Sequence, residues 1–333
     1  MNRDRPRPRV CVVVLTWNGL ADLTTCLESF TCVEYPNYEV VVVDNASEDA
    51  TVATVRDRFS WVSLIVNDSN LGYVGGNNVG MRYALERRAD YVFILNNDTK
   101  MTPTVLDQLV DLMEGDKSIA ISGAKNLLMS NPACTWGKYG VLNWGPMLAR
   151  CVGRYQIDHP EPSPKDVDWV IGNGCLMSRE ALERVGLFDE NFFQVHEDID
   201  WCVRARELGY RVVYVDDAAI HHKGAGSADL TRPVQFSYGY FLGRNPILFA
   251  RKHASGRQWA KLLVMMIGGV ILRIGFSALS YALVALGGQR RFVHGVIDGF
   301  SGRLRPELAI VHTQGRGEPE SGVLNWLRHR LGA

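Results

Sequence analysis

The sequence predicts an α/β fold: a mostly parallel sheet with helices flanking both faces, followed by a C-terminal apolar helical segment. Two observations carry this reading. Short, continuous apolar runs alternate with helical patterns through the first hundred residues, as strands buried on both faces require. Polar clusters follow three of those runs at once, where an open parallel sheet keeps its ligand crevice.

Val10–Leu15 reads as the first strand and Leu20–Phe30 as a helix. Glu39–Val43 is a second strand, Thr51–Phe59 a helix, Ser63–Val66 a short strand, Asn77–Arg88 a helix and Tyr91–Leu95 a fourth strand. From Asn126 to Val167 the pattern loosens around Trp136, Trp144 and three prolines (Pro160, Pro162, Pro164), which reads as a long loop able to order over a ligand. Order returns with Asp168–Ser178 as a strand, Arg179–Val185 and Asp198–Leu208 as helices, and Arg211–Val215 as a strand. Residues 259–286 are markedly apolar but interrupted by Arg273 and glycines, which suits a helix on the core or at a membrane surface better than a span. Four parts follow: a basic tail (1–8), a catalytic-sized domain (9–250), an apolar membrane-associating segment (251–302) and a polar tail (303–333).

Thirty-six basic residues balance thirty-six acidic ones, so no global positive field favours nucleic acid. The arginines at 3, 5, 7 and 9 alternate with prolines as a solvated tail does. The seven cysteines are scattered and form no CxxC pair, which argues against a zinc cluster or a disulfide framework and points to reduced thiols. No secretory leader is evident. The expected location is the cytoplasm, at the inner face of the plasma membrane.

Five groups of residues carry the chemistry. Asp44 ends a valine strand, where a carboxylate can hold a base or ribose; a turn or cap ahead of the next helix is the plainer alternative. Asn70 to Asn78 is rich in glycine and opens a helix, so its amides can meet an anion. It lacks the GxGxxG order, and the Thr16-Trp17-Asn18-Gly19 turn has no glycine fingerprint, which disfavours a dehydrogenase. Asn96-Asn97-Asp98-Thr99 offers one carboxylate to a hard cation on phosphates, or a helix cap. His196-Glu197-Asp198-Ile199-Asp200-Trp201 brings three carboxylates to a helix start, where they also complement its dipole. His221-His222-Lys223 follows a strand and can complete a metal site.

In this order along one chain, these groups, together with Gly186-Leu187-Phe188-Asp189-Glu190, resemble the family 2 glycosyltransferases over residues 9–250. The likeness is greatest to bacterial rhamnosyltransferase-type members that build cell-surface polysaccharide, whose Arg-Asn pair is matched by Arg244-Asn245. The resemblance implies a GT-A fold, a Rossmann-type sheet, and inverting transfer from a nucleoside-diphosphate sugar. dTDP-rhamnose is the first donor expected and a UDP-hexose the second, with a glycan or lipid-linked acceptor and Mg²⁺ or Mn²⁺ as cofactor. Asp198 is then the base. Asp44, Thr16, Asn18, Asn45, Asn70, Gly75, Asn77 and Asn97 meet the donor. Asp98 and His222 hold the metal, and Glu197, Asp200 and Trp201 line the acceptor side. Asn96 departs from the family's Asp-X-Asp motif and leaves one charge fewer. A non-catalytic nucleotide-sugar binder is the rival reading from another class. A sugar nucleotidyltransferase would carry an Arg-containing glycine loop after the first strand, which is absent.

Overall fold

The computed structural model describes residues 6–144, 148–224, 236–264, 268 and 294–305. Its chain runs β1 (Val10–Thr16), α1 (Leu20–Ser29), β2 (Tyr38–Asp44), α2 (Thr51–Arg58), β3 (Ser63–Val66), α3 (Gly72–Glu86), β4 (Tyr91–Asn96), β5 (Thr99–Lys100) and α4 (Val105–Gly115). The second half holds β6 (Ile119–Leu128), β7 (Asn131–Gly137), β8 (Tyr139–Leu142), β9 (Ala149–Cys151), β10 (Gln156–Ile157), β11 (Lys165–Asp166), β12 (Trp169–Val170) and β13 (Cys175–Ser178). It closes with α5 (Arg179–Val185), α6 (Glu197–Glu207), β14 (Arg211–His222) and α7 (Phe236–His253).

The centre of the sheet is parallel, in the order β4-β1-β2-β3. Both faces of β1 are covered, because Val10, Val12 and Val14 enter one hydrophobic cluster while Cys11 and Val13 enter another. Each such valine contributes roughly 1.5–3 kcal/mol through burial, which is why an unbroken apolar run is stable here. β13 joins β4 antiparallel, β6 follows it, and β14 runs parallel to β6. Thr16 pairs with Asp44 and Leu15 with Asn96, so the carboxyl ends of β1, β2 and β4 finish level and open one crevice.

Four expectations are corrected. α3 begins at Gly72, five residues before Asn77, so most of the glycine-rich stretch lies inside the helix. The glycines serve packing there: an added Cβ at Gly76 or Gly80 would lie 2.3 Å from Leu15 or 2.2 Å from Val13. The expected strand over residues 168–178 is two strands, because Gly172-Asn173-Gly174 turns the chain with Gly174 at φ +78°. Residues 126–144 and 148–167 hold the end of β6 and the strands β7 to β11 in place of one long loop. β14 runs on to His222, well past Val215.

Most of the apolar stretch at 259–286 lies outside the described residues, as do 1–5 of the basic tail and 306–333 of the polar tail. Residues 256–264 are helical. Among the described residues, no helix is long and apolar enough to cross a membrane.

Candidate active site

Asp44 sits at the end of β2 with no exposed surface. Its Oδ1 accepts from the Ser47 amide at 2.9 Å, while Oδ2 is buried with no hydrogen-bond partner. A buried, unpaired carboxylate oxygen is costly, and donor hydroxyls or a base N–H would relieve that cost. Asn18 stands opposite, at φ +48°, accepting from the Glu48 amide and donating its own N–H to Ser47 Oγ. Thr16 Oγ1 accepts from Asn97 Nδ2 at 3.0 Å, which joins the ends of β1 and β4.

The other expected donor residues hold the scaffold. Asn45 donates to Asn70 Oδ1 and the Gly72 carbonyl, and accepts from Asn67. Asn70 Oδ1 also accepts from the Gly72 amide and so shapes the entry to α3. Gly75 packs on Leu71, and Asn77 is buried with its amide on the Tyr73 carbonyl.

Asp98 and His222 meet across the sheet edge, Nε2 to Oδ1 at 3.1 Å. The pairing of β14 with β5 forces this, because His222 lies opposite Thr99 and Lys223 donates its amide to the Asp98 carbonyl. The neighbouring His221 pairs with Lys100 instead, so His222 is the residue that completes the pair. Trp136 covers His222 edge-on at 4.8 Å between centroids. Among the described residues no three His, Cys, Asp or Glu side chains gather as a metal cage. One carboxylate and one imidazole nonetheless fit a cation that takes its remaining ligands from phosphate and water. Asn96, the departure from the acidic motif, accepts the Tyr73 hydroxyl at 3.1 Å.

Asp198 opens α6 and remains partly exposed. Its Oδ2 accepts from the Gly172 amide at 3.1 Å and its Oδ1 from the Ile199 amide at 2.8 Å. Burial nevertheless pushes this carboxyl up to about 6. Glu197 rises well above the ordinary range, first through burial and then through the Asp198 charge, and its Oε2 has no partner. Of the two, Asp198 is the member open to solvent. Burial holds His196 down at about 4, hence neutral.

Asp200 and Trp201 do not line the acceptor side. Asp200 is fully buried, ion-paired to Arg204 and Lys252 and in hydrogen-bond contact with His253 Nε2, each at 2.8 Å. Trp201 is fully buried in the core and donates to the Gly186 carbonyl at 2.7 Å. Helix periodicity explains both: residues two and three beyond Asp198 turn away from the crevice and into the core.

Three contributors escape sequence reasoning. Tyr73 reaches both Asn96 and the Gly172 carbonyl. Asn173, buried, joins Asn96, Thr99 and Asn126. Asn245 of α7 donates to the carbonyls of Phe192, Gln194 and Val195, gripping the turn that precedes the base. Only the last carried a signal, the Arg244-Asn245 pair.

Known proteins share this arrangement of strands. At 28% identity over 236 residues, the chain is similar to the N-acetylglucosaminyl-diphospho-decaprenol L-rhamnosyltransferase of Mycobacterium tuberculosis, covering 64% of this chain and 75% of that protein. It is 26% identical over 257 residues to the dTDP-rhamnosyl transferase RfbF of Shigella flexneri, covering 73% and 80% respectively. In fold it is similar to the mannosyltransferase PcManGT from Pyrobaculum calidifontis, solved with GDP-Man and Mn2+ (TM-score 0.54, 15% identity, 90% of this chain and 89% of that one). GalNAc-T7, solved with UDP, GalNAc and Mn2+, aligns with a TM-score of 0.58 at 15% identity. That alignment covers 78% of this chain but only 54% of GalNAc-T7. The sheet is thus of GT-A type. Residues 6–234 match the family described as glycosyltransferase like family 2, and the chain belongs to that family.

Proposed function

We propose that this protein transfers a sugar from a nucleoside-diphosphate donor to an acceptor hydroxyl with inversion at the anomeric carbon. What supports the reading is one raised, partly exposed carboxylate, Asp198, linked through Gly172 and Tyr73 to Asn96 at the end of β4, two residues before the Asp98 that meets His222. Asp198 takes the proton of the acceptor hydroxyl as that oxygen bonds to the anomeric carbon. The bond from that carbon to the diphosphate oxygen breaks, and the nucleoside diphosphate leaves. One base suffices, since a diphosphate needs no acid to depart. Asp98 and His222 hold the divalent cation, Mg²⁺ or Mn²⁺, which when bound neutralises charge on the leaving diphosphate. Asp44 Oδ2 receives the nucleoside.

The names of the two sequence relatives support dTDP-rhamnose as donor ahead of a UDP-hexose, and a lipid-linked glycan as acceptor. Peripheral membrane contact is supported by the exposed Val264, Ile297 and Phe300, set beside the exposed Arg257 and Lys261. The test is turnover of dTDP-, UDP- and GDP-sugars with Mg²⁺ or Mn²⁺, on wild type and Asp198→Asn. Release of one nucleoside diphosphate, abolished in the variant, fixes reaction and base together. Tight donor binding with no turnover on a supplied lipid acceptor would favour the non-catalytic binder, to which Asn96 lends its one argument.

A further inference from the structure

Tyr73 occupies the space between the metal end of the crevice and the base. It is the second residue of α3, and its hydroxyl lies 3.1 Å from Asn96 Oδ1 and 3.3 Å from the Gly172 carbonyl oxygen. On the far side of that same residue, the Gly172 amide donates to Asp198 Oδ2 at 3.1 Å. A methyl group added at 172 would stand 3.5 Å from both Tyr73 Oη and Asp198 Oδ2, so the two side chains converge on one point. Burial, reinforced by the Glu197, Asp198 and Asp98 carboxylates, pushes the phenol well above its ordinary value, and it stays a donor. It has one proton for two acceptors.

The geometry points to Tyr73 as a positioning residue that ties the Asn96 end of β4 to Asp198 through Gly172, an assignment that rests on the transferase reading above. The hydroxyl fixes the carbonyl of Gly172. Holding that carbonyl fixes the backbone about Gly172, whose own amide aims Asp198 Oδ2. Asn96 suits the task where the family's motif has an acid: a neutral amide oxygen shares the single proton with Gly172, whereas a carboxylate would draw it away. The residue that weakens the metal motif is thereby the one that lets Tyr73 serve the base.

The experiment compares Tyr73→Phe, which removes only the hydroxyl, with wild type in two measurements. The first is steady-state turnover with whichever donor the wild type uses. A fall in kcat of about tenfold or more, with donor KM held within about twofold, is expected, since one oriented hydrogen bond acts on the reacting geometry. An unchanged kcat, or a raised KM alone, overturns the proposal. The second is a urea-unfolding cycle of Tyr73→Phe and Asp198→Asn, singly and together. Coupled residues give a double variant that departs from the sum of the single ones; additivity overturns the proposal. A wild type that turns over no donor refutes the transferase reading, and the unfolding cycle then decides the coupling by itself.

Discussion

Asn245 donates its side-chain amide to the Val195 carbonyl at 2.6 Å. Val195 stands at φ +68°, between Phe193 at +62° and His196 at +78°. A β-branched residue is a rare occupant of that region, and each such residue costs roughly 1–3 kcal/mol. The turn therefore persists because something holds it, and Asn245 also meets Phe192 and Gln194. Asp198 follows directly.

Asn245→Ala leaves those carbonyls without their donor. The expected cost is about 2–3 kcal/mol of stability, read as a lower urea midpoint. Turnover should fall further than folding alone explains, because the relaxed turn misplaces the base. Asn245→Asp is the sharper case: it keeps the shape but offers the carbonyls an acceptor, so it should be worse than Ala in both measurements.

The Asp98–His222 pair predicts a metal phenotype in two grades. Asp98→Asn keeps the shape and removes the charge, and should raise the Mn²⁺ concentration for half-maximal turnover by about 10–100-fold. His222→Ala opens the space beside Trp136 and should weaken Mn²⁺ by a similar factor. Direct Mn²⁺ binding, followed by electron paramagnetic resonance with the nucleoside diphosphate present, checks both. Unchanged binding in either variant refutes that residue as a ligand.

The pH dependence follows from Asp198 and Glu197. A base must be ionised, so kcat should rise with pH through the region near 6 that burial sets for Asp198. Stability should move the other way. Both folded-state values lie above those of the unfolded chain, so the stabilising contribution is complete below about pH 4 and is lost as pH rises through the folded values. Glu197→Gln removes the buried carboxyl whose ionisation burial opposes, and should raise the melting temperature at pH 8 by several degrees while leaving it nearly unchanged at pH 4. Equal melting temperatures of variant and wild type at pH 8 would show that Glu197 carries no such burden.

How legible this was from sequence depended on whether a signal was local. β1 and β2 were plain, since their valines need cover on both faces and no helix period competes. Asp44, Asp98, Asp198 and His222 stand out in the sequence as candidates because each lies at or beside the end of an element. Residues 126–167 were misread because strands of two to seven residues, paired antiparallel with distant partners, leave no periodic trace. Tyr73 could not be found, since its value lies in contacts to residues 23 and 99 positions away. Asp200 and Trp201 are expected on the acceptor side from the family resemblance, whereas the turn of the helix sends them inward.

The glycines of α3 decide between two explanations of one motif. Read as a loop, Asn70–Asn78 offered backbone amides to an anion; read as a helix, it presses Gly76 and Gly80 against β1. The second account predicts that Gly80→Ala is damaging although Gly80 touches no ligand, because its Cβ would stand 2.2 Å from Val13 Cγ1 in a fully buried contact. Alanine gains helix propensity by about 1 kcal/mol, yet overpacking of this kind costs typically 1–3 kcal/mol, so net destabilisation is expected in urea unfolding. Gly115→Ala is the control. It closes α4 with nothing within 4 Å of the added carbon, so the same substitution there should be neutral or slightly stabilising. Stabilisation at both sites would show that α3 does not lie on β1.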